Sequence, residues 1–380
     1  MKNSYLIIIS SLITIILVYT ILFVYTFINF NNEFKYTFKS LENLNFHEKY
    51  SSKIHHIRDE FALSLFYKKT RAEDLLFTPM NKLKDKKKII LLQGDSWMDF
   101  TQTRFYISQN LVKEFGNEKN VGFINAGTSS YSPSLMNLQL DVLQDDFDIF
   151  PDLVIAYIDQ TDIGDENCRY KNNKIYKNGI LNSVQPEAYL MHKNLYNFSQ
   201  IYGLSKISLN NESKIIKTFQ LINFKFKYAF MKSTIRFYRK YISYSTIDKE
   251  KLDKCYWSTI GKYLMEPSDE AIGYFKNTII EYIEKVNKKK HIKKLIFVTF
   301  PHKPHFFEHS PYKLNISNVV DDVIKNKKNI IHINFSKILL NDKNFNYQNI
   351  WQEDEAHLLP AMHGNIFIKK ILDELSMHLH

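Results

Sequence analysis

The sequence is poor in cysteine. Two residues in 380, Cys168 and Cys255, rule out a Cys-rich zinc site and a disulfide scaffold. Two unpaired thiols are the simpler reading, although outside the cytoplasm the two could pair. A focused nucleic-acid signature is also missing. The formal charge is +11, yet the lysines are spread along the chain, and no zinc-finger, RRM or helix-turn-helix pattern gathers them. We therefore expect no nucleic-acid partner. A basic face near an anionic membrane or envelope polymer suits the charge better. There is no internal repeat and no low-complexity segment. Hydrophobic residues make up 44%, which allows a sizeable core and excludes global disorder.

Charge is absent in one further place: no charged residue occurs between Lys2 and Glu33. Residues 5–30 are almost wholly Ile, Leu, Val, Phe, Tyr and Thr. A bilayer core needs about 20 apolar residues in a helix. A signal-peptide core is shorter, about 7–15 residues, and ends at small residues. Here the exit reads Phe30-Asn31-Asn32-Glu33-Phe34, with no A-x-A pattern and no following cysteine to carry a lipid. The expectation is an uncleaved transmembrane signal anchor over 5–30, which makes the membrane a partner. Lys2 and the amino terminus favour an inside N-terminus, while Lys35 and Lys39 weaken the asymmetry. The richness in Lys, Ile and Asn points to an AT-rich bacterial genome. The larger domain is therefore expected outside the cytoplasm, in the periplasm or at the cell surface.

Residues 31–87 read as a polar, helical connector. Short apolar runs then alternate with helical patterns. Runs at 89–92, 121–125, 153–158, 295–300 and 330–335 read as strands. A helix is expected at 101–115, and a closing helix at 364–375. Strands that alternate with helices imply βαβ units and a parallel sheet, and strands buried on both faces read as continuous apolar runs. A stretch at about 165–290, rich in Tyr, Phe and Lys, is too long for a structureless loop and reads as a helical insertion. The expected architecture is a flavodoxin-like three-layer α/β/α domain over 88–380 with a parallel five-stranded sheet, this insertion, and one N-terminal transmembrane helix.

The sharpest local feature is Gln93-Gly94-Asp95-Ser96-Trp97, directly after the first strand. A serine at a strand-to-helix turn stands at the carboxyl edge of the sheet, where open α/β sheets place ligands. Its own N–H and the following helix can stabilise an oxyanion. Read alone, Ser96 is as easily an ordinary helix N-cap. Asp354-Glu355-Ala356-His357 lies at the far end of the chain. An aspartate three residues before a histidine can fix the imidazole tautomer, so that the histidine takes a serine proton.

With these motifs in this order, the chain resembles the SGNH/GDSL hydrolase family over about 88–162 and 293–375. The first block matches at Gly94, Asp95 and Ser96. The second matches at Asn125-Ala126-Gly127-Thr128-Ser129, and the last at Asp354 and His357. The resemblance implies Ser96 as nucleophile, His357 as base and Asp354 as its orienter, with the N–H groups of Ser96 and Gly127 as oxyanion donors. The third block, G-x-N-D, is replaced by Asp159-Gln160-Thr161-Asp162. The Thr161 hydroxyl or the Gln160 amide would have to stand in for the missing asparagine. An ionised Asp159 beside a developing oxyanion would be unfavourable.

His302, His305, Glu308 and His309 follow the fourth strand. Their spacing is compatible with a metal, but matched ligand pairs are not evident, and no metal or other cofactor is expected. Trp97, His302 and His305 are candidate substrate contacts. His363 is a backup base or a helix cap, and His55 and His56 precede the domain. The implied activity is serine-dependent ester hydrolysis of an acylated envelope glycan or lipid through an acyl-enzyme. The alternatives are an O-acetyltransferase that works with a membrane acyl-donor partner, and a non-catalytic glycan-binding scaffold.

Overall fold

The computed structural model describes residues 2–35, 83, 85–98, 120–128, 130–184, 213–238, 266–342 and 344–378. The expected helix at 101–115, most of the connector, Ser129, Cys255, His55 and His56 lie outside them. In chain order the elements are α1 (Lys2–Ile28), β1 (Lys88–Gln93), β2 (Val121–Asn125), α2 (Pro133–Phe147) and β3 (Leu153–Tyr157). Then come β4 (Lys174–Lys177), β5 (Ile180–Val184), α3 (Lys214–Tyr238), α4 (Asp269–Lys288) and β6 (Lys294–Thr299). The chain ends with α5 (Ile316–Ile324), β7 (Ile330–Asn334), α6 (Phe335–Leu339) and α7 (Lys369–His378).

The chain divides into two compact units, Met1–Ser51 with Glu187–Ile247, and Ser52–Pro186 with Asp248–His380. In the larger unit five parallel strands form one sheet in the order β2-β1-β3-β6-β7. This is the flavodoxin-like order, and its direction switches between β1 and β3. The five strands fall where the apolar runs predict them, within one residue at each end. Ile90, Leu92, Phe123, Ile155, Tyr157, Ile296 and Val298 point to one face and join Trp97, Phe300, Phe335 and Phe367 in a core. Their neighbours Leu91, Ile124, Val154, Ala156 and Phe297 are buried as well. Burial on both faces is why the strands read as unbroken apolar runs. Each fully buried aliphatic side chain contributes about 1.5–3 kcal/mol.

The expected insertion at 165–290 needs correction at both ends. Its last part is α4, a regular amphipathic helix of the α/β unit. Ser268 caps it by accepting from the Ala271 N–H, and Phe275, Ile279, Tyr282 and Ile283 are buried along it. α4 packs on α2 and α5, and the Tyr282 hydroxyl donates to Gln93 Oε1 at 2.6 Å. Near its start the stretch holds an antiparallel hairpin, β4–β5, rather than helix. Asn178 and Gly179 sit at its tip with φ of 53° and 73°, the pair of left-handed residues that a tight hairpin turn requires. Cys168 is disulfide-bonded, which overturns the reading of two unpaired thiols; the chain holds one other cysteine, Cys255.

In the smaller unit, α1 carries an apolar stretch Tyr5–Ile28 of 24 residues with mean hydropathy 2.8. It is long and apolar enough to cross a membrane, as an anchor or as a signal sequence. Within the stretch read as a helical insertion, α3 is a helix of 25 residues from Lys214 to Tyr238. α3 packs on α1 through Phe219 against Phe23, with ring centroids 4.4 Å apart.

Candidate active site

The loops after β1, β2, β3 and β6 leave the same edge of the sheet. After β1 the chain turns sharply at Gly94, whose φ is 145°. A Cβ there would lie 2.8 Å from the Tyr157 Cβ on β3, so only glycine suits the position. The turn starts a helical segment at Ser96. Trp97 anchors it from below. Fully buried, Trp97 stacks within 5.3 Å of Tyr157 and 4.9 Å of Phe300. The Asp95 carboxylate accepts from the Trp97 N–H at 2.9 Å and closes the turn.

The second part of the site arrives from 261 residues away in sequence. Ser96 Oγ is 2.7 Å from His357 Nε2, and His357 Nδ1 is 2.5 Å from Asp354 Oδ2. The loop that carries them is built to hold this geometry. Trp351 and Leu358 form an antiparallel bridge, and the Gln352 N–H donates to the His357 carbonyl at 2.8 Å. Between the two functional residues Glu355 takes φ of 57°, an uncommon conformation for a residue with a side chain. This tight turn lets Asp354 Oδ1 accept from the N–H groups of Ala356 and His357 at 3.0 and 2.9 Å. Lys303, after β6, ties the turn down. Its N–H donates to the Glu355 carbonyl at 3.0 Å, and its ammonium lies 2.7 Å from Glu355 Oε1.

The charges follow from these contacts. Burial alone would raise the Asp354 carboxyl, but the bonds and charge of His357 outweigh it and bring it down to about 2. Burial likewise works against a charged His357. Asp354, helped by Asp95 and Asp159, reverses that and raises His357 above its ordinary 6.5. An ionised Asp354 only accepts, so Nδ1 carries the hydrogen and Nε2 presents a lone pair to Ser96. Asp95 is different. Burial, then the negative charge of Asp159, pushes its carboxyl up to about 8.

The altered third block is accommodated by a partner that sequence reasoning missed. Asp159 is ion-paired with His302 at 2.8 Å, both side chains almost fully buried. Burial would raise Asp159, but His302 and the donors from Thr161 hold it well below the usual carboxylate range. The carboxylate expected to oppose an oxyanion is therefore already engaged by His302 and Thr161. This commits the expected stand-ins elsewhere. Thr161 gives both its N–H, at 2.9 Å, and its hydroxyl to Asp159 Oδ2. Gln160 spans to the loop after β6, donating to the Leu314 carbonyl at 2.9 Å and accepting from the Ile316 N–H at 3.0 Å. Neither side chain is directed at Ser96 as a spare donor. The Gly127 N–H donates to Asn125 Oδ1 at 2.8 Å. Of the four expected oxyanion donors, the Ser96 N–H alone carries no hydrogen bond among the described residues.

Two expected substrate contacts are corrected by burial: Trp97 and His302 have no exposed surface. His305 is half-buried and accepts from the His302 N–H at 3.1 Å. Glu308 and His309 are exposed, so the histidine cluster splits between core and surface. The side chain of His363 is outside the described residues. A charged residue at the glycine position of the third block, with a histidine after the fourth strand, was the available signal for the Asp159–His302 pair.

No family model matches the chain, and no curated protein matches it. Among solved structures it is similar to the acetylxylan esterase Axe2 from Geobacillus stearothermophilus, at 14% identity and a TM-score of 0.38, over 76% of this chain and 94% of that one. It is similar to the acetyl xylan esterase AlAXEase at 13% identity and 0.38, over 75% and 98%. A G-D-S-L family protein from Desulfitobacterium hafniense DCB-2 aligns at 11% identity and 0.32, over 74% and 99%. At these values the neighbours are a likeness only; the three-layer α/β/α fold is read from the chain's own strand order and parallel register.

Proposed function

We propose that the larger unit is a serine-dependent acyl esterase acting on an acylated envelope glycan or lipid. The observation that carries this reading is the continuous hydrogen-bonded chain Ser96–His357–Asp354 at the carboxyl edge of the sheet. In the first step Ser96 Oγ bonds to the ester carbonyl carbon while its proton passes to His357 Nε2. Asp354 remains ionised and stabilises the imidazolium. The tetrahedral adduct collapses, the C–O bond to the alcohol breaks, and Nε2 returns the proton to the leaving oxygen. Water then attacks the acyl-enzyme with the same proton route, releasing the acid and restoring Ser96. The Ser96 N–H is placed to receive the oxyanion. Gly127 can join it only by letting go of Asn125, a rearrangement that substrate binding would drive.

An anchor at α1 and a disulfide at Cys168 support a location outside the cytoplasm, because disulfides persist in oxidising compartments. A second reading has its own support. With three of four expected donors committed, the unit suits either a non-catalytic glycan-binding scaffold or an O-acetyltransferase whose membrane acyl-donor partner completes the hole. Full-length protein in detergent, treated with a fluorophosphonate probe beside Ser96→Ala, separates these. Labelling that requires Ser96, together with turnover of p-nitrophenyl acetate, is the outcome expected of an esterase. A folded sample that neither labels nor turns over substrate overturns that reading in favour of binding or partner-dependent transfer.

A further inference from the structure

The helix α3 is built the wrong way round for water. Its exposed positions include Ile215, Ile216, Phe219, Phe226 and Phe230, between 41% and 76% exposed. At about 100° per residue these five fall within one arc of about 100°. A water-facing helix places polar residues on that arc. Between Ile215 and Phe230 the one polar residue on it is Asn223. Lys214, Lys217 and Lys225 lie outside it on the helical wheel. A contiguous apolar stripe left exposed on a helix marks an interaction surface.

What covers the stripe is indicated by its neighbour. Phe219 lies against Phe23, and Tyr19 faces both Phe219 and Phe226, with ring centroids 6.1 and 6.4 Å apart. The Tyr19 hydroxyl reaches Asn223 Oδ1 at 3.4 Å. Tyr19 and Phe23 belong to the apolar stretch Tyr5–Ile28, whose most apolar window has none of its residues buried. Past the end of that stretch, Glu33 is ion-paired with Lys225, and the Lys214 ammonium sits over the Phe27 ring at 4.5 Å. α3 thus touches α1 both inside its apolar stretch and at the charged residue beyond it. It straddles the level at which the apolar stretch ends.

We infer that α3 is an in-plane membrane helix that beds Ile215, Ile216, Phe219, Phe226 and Phe230 into the lipid beside the outer end of α1. This rests on α1 being a membrane span. Whatever lipid surrounds the rings of Tyr19 and Phe23 must also meet the stripe packed beside them. The lysines that flank the stripe suit the phosphate level, where long cationic side chains keep their charge in water while their stems lie on apolar surface. The occupant is therefore the acyl and headgroup boundary of a bilayer. The consequence is a second, non-spanning attachment made by α3.

Single tryptophan reporters in full-length protein reconstituted into nanodiscs test this, with the emission of the parent protein subtracted. Ile216→Trp reports on α3, Val18→Trp on α1, and Ile180→Trp, at the exposed start of β5 in the other unit, on water. Lipids brominated along the acyl chain should quench Ile216→Trp and Val18→Trp about twofold or more and leave Ile180→Trp unchanged. Quenching of Val18→Trp alone overturns the inference while the anchor stands. Quenching of neither overturns both. A further variant, Ile216→Asp with Phe226→Asp, should change the amide-exchange rates of α3 in detergent no more than twofold, yet abolish the added protection that lipid gives; protection that does not depend on lipid in the parent protein also sinks the idea.

Discussion

The larger unit builds a carboxylate–imidazole–hydroxyl relay twice. In one, Asp354, His357 and Ser96 are joined at 2.5 and 2.7 Å. In the other, Asp321, His332 and Thr299 are joined at 2.7 and 2.8 Å. The distances hardly differ, and the surroundings differ completely. Ser96 is half-buried at the sheet edge, and its N–H carries no hydrogen bond among the described residues. Thr299 is fully buried and also bonds Ser317 Oγ at 2.7 Å. The electrostatics run in opposite directions. Burial lowers His332, and Asp321 does not overcome it. Burial also acts on His357, but Asp354, Asp95 and Asp159 overcome it. Bond geometry alone therefore does not make a triad. Access and the local field separate the two, and the second relay clamps β6, β7 and α5 together around the buried Thr299 and His332 side chains.

The sharpest way to break this comparison is to delete each hydroxyl. Ser96→Ala should lower turnover by about 10⁴-fold or more with an unchanged melting temperature. Thr299→Val should leave turnover within about threefold and cost about 1–3 kcal/mol of stability in urea unfolding, because His332 and Ser317 lose a buried partner. If Thr299→Val removed activity without a loss of stability, the two relays would not be distinct in kind. Next come the carboxylates. Asp354→Asn should cost about 10³–10⁴ in kcat, since the amide favours the wrong tautomer of His357. Asp321→Asn should act on thermal stability alone.

The Asp159–His302 pair should be the costliest structural element near the site. His302→Leu leaves an unpaired buried carboxylate, with an expected loss of about 3–5 kcal/mol. Adding Asp159→Asn should recover much of it, as a double-mutant cycle on urea midpoints would show. A loss that the second change fails to relieve would argue that His302 acts by packing instead.

The smallest effect expected is in the pH profile. His357 must be neutral to take the proton, so kcat/KM should rise with pH through a midpoint above 6.5. Asp95 gives a separate stability signature. Its folded carboxyl is raised from 3.8 to about 8, so over that window the folded protein holds a proton that the unfolded chain has lost. The stabilisation from this proton is complete below about 4 and lost as pH rises through about 8. Asp95→Asn should flatten that decline, and an unchanged slope would show that Asp95 is ionised at neutral pH.

The central strands were legible because a parallel strand buried on both faces writes its burial as an unbroken apolar run, as in 153–157. The Gly94-Asp95-Ser96 turn and the Asp354–His357 step were legible as local spacings, and only the resemblance to the SGNH/GDSL family joined them; their meeting across 261 residues belongs to the fold. The β4–β5 hairpin was announced by Asn178-Gly179, which the aromatic and basic character of the surrounding stretch obscured. The helix α4 was hidden in the same way inside a segment read as insertion.

By itself, then, the sequence determined the apolar helix at the N-terminus, the parallel α/β sheet and the two local pieces of the Ser96 relay, the Gly94-Asp95-Ser96 turn and the Asp354–His357 step. All of these are fixed by local spacing or by the periodicity of burial. Only the tertiary structure decided that Asp159 is held by His302, 143 residues away, that Thr161, Gln160 and Gly127 are spent on other partners, and that Thr299 and the His332 side chain are buried. The physical reason is that a donor's availability and a carboxylate's charge depend on what surrounds them in space, and those neighbours come from strands far apart in the chain.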